Sequence, residues 1–410
     1  MSSHTPSATP PPLDLSKWQK VPTLLIAIGG LLAFLGAFVN VKQFGYSWLL
    51  AFMFFLSFCL GALFLVLVHH IFDASWSVPI RRFVEHIACL APVMAVLFIP
   101  IALLAGKLYP WMSSDPLHDH ALKAKLPLFT APMFYIVSAI CFTSWWFFSS
   151  KLRYWSLKQD ETGSAECTFK MRRLAATGVF VFAITLSLGA VMWMKALQHE
   201  WFSTMYAVYY FAGSVWMTLA TVYLIAYLLK RQGPLKDVVH ETQFYFIGSL
   251  LFAFTVFYAY IHFSQYFIIW NGNMPEETFW YILREKGSWW DVGMILIFGH
   301  FFLPFLLLLR IDAKLSWVMA PIAVWAWLMH FIDLSYNVMP IWHPEGFVLH
   351  WMDLACIAFM AGVVIKVFLK SFAAHPPYPQ QDPRFSEAMG VYIAPIIVPL
   401  ESKPSGHRAK

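Results

Sequence analysis

The chain has 410 residues; 60% are hydrophobic, only 12% are charged, and 19 are Trp and 39 Phe. A soluble globule carries about 25% charged residues and cannot hide so much apolar surface, so a soluble enzyme, a disordered chain and a disulfide-stapled secreted domain are all excluded. The net charge of +6 is spread over short loops rather than one folded surface, which argues against nucleic acid as a partner and leaves membrane lipid as the solvent.

In chain order, residues 1–20 are polar and rich in Pro and Ser, and read as a disordered tail. Ten apolar stretches follow, each long enough to cross a hydrocarbon core of about 30 Å. They lie at 21–39, 47–71, 83–105, 126–150, 174–195, 204–229, 244–270, 291–309, 315–339 and 347–369. Backbone polar groups in lipid must pair internally, so each is a helix, and the short alternating segments of a barrel are absent. The first stretch has no small-residue exit and is followed by Asn40 and Lys42, as in an uncleaved helix. Most prolines sit near span ends; Pro132 and Pro304 lie inside, and Pro92 is borderline. The segment after Lys370 is polar and non-helical. The expected fold is therefore all-α, with a ten-helix membrane domain over 21–370 between tails 1–20 and 371–410.

Of the 28 Lys and Arg, 21 fall in the tails, the end of the tenth stretch and the even-numbered connections, and 7 in the odd-numbered ones. That bias places both termini in the cytoplasm. The densest basic stretch, 151–173, becomes a cytoplasmic loop that anchors the topology. The outer connection 271–290 contains Asn273-Met274-Pro275-Glu276-Glu277, a helix start with Pro and acids in the first turn. Trp280, Tyr281, Trp289 and Trp290 hold that short helix in the headgroup layer.

Spans two to five (about 47–195) and six to nine (about 204–339) look like two copies of a four-helix bundle, flanked by spans one and ten. The second helix of each begins beside an acid–histidine pair, Glu85-His86 and His240-Glu241, and the opening helices carry Gly61 and Gly213. Equal orientation of the copies makes a parallel repeat, not the inverted one common in transporters.

Ionisable groups inside a bilayer are costly and need a task or a partner. Towards the cytoplasm lie His69, His70, Asp73, Glu85, His86, His240 and Glu241, where a solvated face is the plain explanation. Deeper, span seven presents Tyr258, His262, Gln265 and Tyr266 on one face; span eight has Asp291 and His300; span nine has His330, Asp333 and Asn337 on one stripe; span ten has His350 and Asp353. With a helix start at 315, His330 stands about 22 Å from the cytoplasmic end. Interhelical hydrogen bonds would explain any one of these groups. Four helices agreeing in height point instead to a proton relay or a quinone pocket in the outer half, fed or drained by the cytoplasmic set.

The five cysteines, Cys59, Cys89, Cys141, Cys167 and Cys356, form no CxxC pair, so no iron–sulfur or haem-attachment motif is present. No span carries the widely spaced histidine pair of a b-type cytochrome, and there is no phosphate-binding glycine loop. If electrons move, other subunits carry them, and this chain binds no cofactor or metal itself.

Two blocks then carry a resemblance: Trp201-Phe202-Ser203-Thr204-Met205-Tyr206 with Tyr210-Phe211-Ala212-Gly213-Ser214, and His262-Phe263-Ser264-Gln265-Tyr266 followed by Asn273-Met274-Pro275-Glu276-Glu277-Thr278-Phe279-Trp280-Tyr281. With the ten-helix pattern, the chain resembles the NrfD-like (polysulfide reductase membrane subunit) family, and within it the ActF group of alternative complex III. The resemblance implies an inner-membrane subunit of a bacterial quinol:cytochrome c oxidoreductase, with menaquinol or another quinol as the substrate of the complex. It implies as partners a sister NrfD-like quinol-binding subunit, a periplasmic iron–sulfur subunit, multihaem cytochrome c subunits and small membrane subunits, with haem c and the clusters in those partners. A secondary transporter and a purely structural anchor are the competing expectations.

Overall fold

The computed structural model describes residues 15–115, 118–315 and 317–390; most of the N-terminal tail and residues 391–410 lie outside that description. The described residues are helical and contain no strand. In chain order the helices are α1 (Lys20–Val39), α2 (Val41–Phe72), α3 (Val78–Ala88), α4 (Ala91–Leu97), α5 (Ile99–Leu108), the short α6 (His120–Lys123), α7 (Ala131–Thr162) and α8 (Ala165–Trp193). Then come α9 (Tyr206–Gln232), α10 (Glu241–Gly272), α11 (Pro275–Arg284), α12 (Trp289–Ile295), a π-helical stretch Leu296–Phe302, α13 (Leu303–Leu308) and α14 (Ile311–Leu315). The last are α15 (Met319–Val338), α16 (Trp351–Ala373) and α17 (Phe385–Ala388).

Eight helical runs are long and apolar enough to cross a membrane, and a ninth if the bent run from α3 to α5 is one span. This is a membrane protein. The predicted third span is not one rod: it bends by 52° where α4 gives way to α5. Pro92 and Pro100 sit in the first turns of α4 and α5 and cannot donate to the turn before, so the chain restarts twice. The predicted eighth span carries the π-helical turn around His300, because Pro304 has no N–H for the His300 carbonyl. The predicted ninth span is α15, whose 20 residues reach about 30 Å but whose polar stripe keeps it out of the apolar set.

Two further expectations are corrected. Residues 151–173 are not a loop: α7 and α8 extend through them and turn only at Gly163, in the left-handed conformation with φ +64°, and Ser164, which caps α8. The segment after Lys370 is not a free tail: α16 runs to Ala373, and the chain to Gly390 folds back over the helix ends, including α17. At the other terminus Ser16–Trp18 forms a 3-10 turn before α1.

A helix apolar on every side belongs inside a bundle. Most side chains of α2 and α9 are accordingly buried, and these two helices pack against each other at the centre. Gly61 makes that crossing close: a β-carbon there would stand 2.5 Å from the Ser214 carbonyl oxygen and would overlap Thr218 Oγ1. Gly213 has a different task and leaves room for the His330 ring of α15. Spans one and ten pair with each other through the same small-residue device, with Gly29 facing the Phe359 backbone and Gly362 facing Pro22 and Ile26. Replacing Gly61 with Leu is expected to force α2 from α9 and destabilise the fold by upwards of about 3 kcal/mol. Gly106→Leu, with open space at its β position, should melt like the parent in detergent.

Candidate functional site

The stripe on α15 meets α9, α10 and α2 in the middle of the bundle. A buried carboxylate must be hydrogen-bonded. Asp333 Oδ1 accepts from the hydroxyls of Tyr258 on α10, at 2.8 Å, and of Tyr209 on α9. Asn337 donates to Tyr209 at 3.0 Å and accepts from the Tyr206 hydroxyl at 3.1 Å. One turn below Asp333, His330 pairs through Nε2 with Ser57 of α2 at 3.0 Å, and its Nδ1 has no hydrogen-bond partner. A β-carbon on Gly213 would lie 3.5 Å from that Nδ1 and 4.0 Å from Asp333 Oδ2, so the missing side chain leaves open the ground between imidazole and carboxylate. His300 is sandwiched between Trp216 and Tyr258, with ring centres 3.9 and 3.8 Å away, and neither ring nitrogen is hydrogen-bonded. The His262 ring centre lies 5.4 Å from that of Tyr209 and 6.0 Å from that of Tyr258. Thus His262, His300, His330 and Asp333 do come together. Because α15 begins four residues later than expected, His330 is about 17 Å from its helix start, nearer mid-depth than predicted.

Against this cluster lies a cavity of about 660 Å³, within the range of small-molecule sites. Tyr258, His262, Tyr281, Arg284, Glu285 and Tyr336 bring polar atoms to a wall that is otherwise apolar. Phe263, Trp290 and Ile297 line it too and are exposed on the helix-bundle exterior, so the cavity meets the side that faces lipid. Arg284 stands at its polar end. It donates to the carbonyls of Tyr336 and Asn337, at 2.8 and 2.9 Å, capping the last turn of α15, and its guanidinium carbon lies 3.4 Å from the centre of the Trp280 ring. Burial pushes its pKa down to about 10 and raises that of the neighbouring Glu285 carboxyl. Gln265 bonds Ser203 at 2.7 Å and Tyr281 at 3.0 Å, tying together the two sequence blocks that carry the resemblance.

The rest of the predicted outer set does not join. Asp291 is exposed in the first turn of α12, where an acid simply favours the helix dipole. His350 and Asp353 form a capping box at the start of α16: Asp353 accepts from the His350 N–H at 2.9 Å and from Ser47 Oγ at 2.5 Å. Ser47 leads on to Gln43, and Gln43 to Trp342 and His343, a separate polar group at the head of α2.

At the opposite end of α2 the predicted cytoplasmic set divides as well. His69 bonds Ser77 at 2.7 Å and Arg81 at 2.9 Å, with His70 edge-on against it. Glu85 lies between Arg81, at 3.0 Å, and Arg82, at 3.3 Å. Arg82 also pairs with Asp160, and Arg81 with Asp382 at 2.5 Å. Asp73 holds Arg172 and Arg384, and His86 meets Ser371 at 2.9 Å. His240 and Glu241 are exposed at the start of α10, where Gln243 accepts from the His240 N–H, and they belong to no buried group. Nor does α2 wire this end to the centre: from Ser57 to His69, about 18 Å of helix, residues 58–68 are all apolar.

Residue spacing alone does not single out Tyr206, Tyr209, Ser57, Trp216 or Arg284. Tyrosines and tryptophans on apolar helices read as packing, and only their contacts reveal them as partners of Asp333 and His300. Among the described residues no three His, Cys, Asp or Glu side chains converge to hold a metal ion. Fold and site together define an all-helical membrane protein with a polar cluster at its centre and a lipid-facing cavity beside it. No protein-family model matches the chain, and no curated protein matches it.

Proposed function

We propose that this chain is a ten-span, ActF-like subunit of an alternative complex III-type quinol:cytochrome c oxidoreductase in a bacterial inner membrane, and that it takes up the protons of quinol oxidation without a redox cofactor of its own. The observation that carries the reading is the Tyr258 hydroxyl: its residue lines the lipid-facing cavity and it donates to the buried Asp333 carboxylate. A lipid-soluble quinol enters such a cavity from the bilayer without crossing water, and its ring hydroxyls need polar partners at the closed end. As the quinol loses two electrons to partner subunits, its two protons pass to groups of this chain. His262 brings an imidazole to that wall, a group able to hand a proton on to its neighbours. The Tyr258–Asp333 bond leads inward, and Asn337 with Tyr206 leads towards the end that holds α11. The apolar stretch of α2 below Ser57 directs release to that outer side rather than to the cytoplasm.

The transporter reading expects helix breaks at matching positions of two repeats. The break between α4 and α5 lies in the second helix of the first unit, and the π turn in the third of the second, which favours a fixed scaffold. The test fills the cavity. Gly293 lines it with its β position 3.5 Å from the Tyr336 hydroxyl. Gly293→Phe, assembled with its partners, should raise the quinol KM at least about tenfold with unchanged haem c content, the loss of roughly 1.4 kcal/mol of binding. Parent kinetics in that variant would remove quinol from the cavity and the proposal with it.

A further inference from the structure

The α7–α8 hairpin carries a second concavity, of about 360 Å³, on the outside of the bundle at the basic end. Its deep wall is Phe147 and Phe148 on α7 with Leu174 and Thr177 on α8; its rim is Trp155, Lys170 and Arg173. The order follows from antiparallel helices: towards the hairpin turn, Trp155 lies about two turns beyond Phe148 on α7, Lys170 about one turn beyond Leu174 on α8, and Arg173 level with Leu174 and about one turn beyond Thr177. Lys170 lies 4.3 Å from the Trp155 ring centre, and Lys158 lies 5.4 Å from it. Three cations thus surround the rim against one carboxylate, Glu166, which Lys170 holds at 2.7 Å. Apolar depth, an aromatic collar and an excess of positive charge at the hydrocarbon boundary are complementary to one kind of molecule.

We propose that this groove is a binding site for an anionic glycerophospholipid, its phosphate at Arg173 and Lys170 and an acyl chain along Phe147, Phe148 and Leu174. A zwitterionic lipid offers the same chain and phosphate but adds a cation that these side chains repel. The site is independent of the quinol reading.

The experiment reconstitutes the full chain, alone and in its complex, in vesicles of phosphatidylcholine with 20% phosphatidylglycerol (about one lipid in five), one of the two carrying a photoreactive acyl chain. Labelling of residues 147–177 should favour phosphatidylglycerol over phosphatidylcholine about fivefold for each rim charge that acts, while the other helices show no preference. Lys170→Gln with Arg173→Gln should abolish the preference and leave the melting curve unchanged, since both side chains are on the surface. Equal labelling by the two lipids, or an undiminished preference in the double variant, overturns the proposal. So does competition by free glycerol phosphate, which would make this a phosphate site, or loss of labelling in the complex, which would give the groove to a partner subunit.

Discussion

Asp333→Asn, built into the assembled complex, is expected to lower quinol turnover by at least about 100-fold, the usual contribution of a positioned proton acceptor. The amide keeps a carbonyl oxygen where Tyr209 and Tyr258 donate, so the four helices should still pack, but it can no longer take a proton. Proton release measured beside electron transfer should fall in step. Asp353→Asn is the matched control. Asp353 caps α16 and bonds Ser47 and is not part of the cavity lining, so its loss should cost about 1 kcal/mol of stability and leave turnover near the parent value. If the two variants behaved alike, or if Asp333→Asn turned over normally, a central proton acceptor would have no place in the mechanism.

The contrast between these two aspartates shows how far the sequence could be read. His330, Asp333 and Asn337 repeat at offsets of three and four, and a helix puts such residues on one stripe whatever surrounds it. The neighbours of that stripe are set by which helices pack together, and nothing in the local pattern of α9 marks Tyr209 as a donor to Asp333. Equal height along separate helices was a weaker guide: it grouped His350 and Asp353 with the central set, although an i, i+3 pair just before an apolar run is also the pattern of a helix cap. The broken third span and the π turn were legible in principle from Pro92, Pro100 and Pro304, since each proline removes a definite N–H. Residues 151–173 misled because charge suggested a loop, while the same Lys, Gln and Glu are good helix formers once the chain has left lipid.

Arg82→Met is expected to have the largest effect on stability, about 3–5 kcal/mol. Helix extension is the reason. Because α7 continues to Thr162, Asp160 reaches Arg82, and because the C-terminal segment folds back, Asp382 reaches Arg81. Two guanidinium groups therefore face three carboxylates, with Glu85 between them, and both arginines are buried. Methionine fills much of the volume but leaves one guanidinium for three carboxylates, so Glu85 and Asp160 lose a partner where water cannot replace it. Asp382→Asn changes the balance the other way, to two against two, and should cost far less. Its consequence is local: the strap through α17 loosens, and proteolysis between Tyr378 and Gly390 speeds up while the melting temperature barely moves. Thermal unfolding in detergent separates the two variants. A melting curve for Arg82→Met that matches that of Asp382→Asn would mean that the strap and the α7 extension are held by apolar contacts alone, with the buried charges contributing nothing to cohesion.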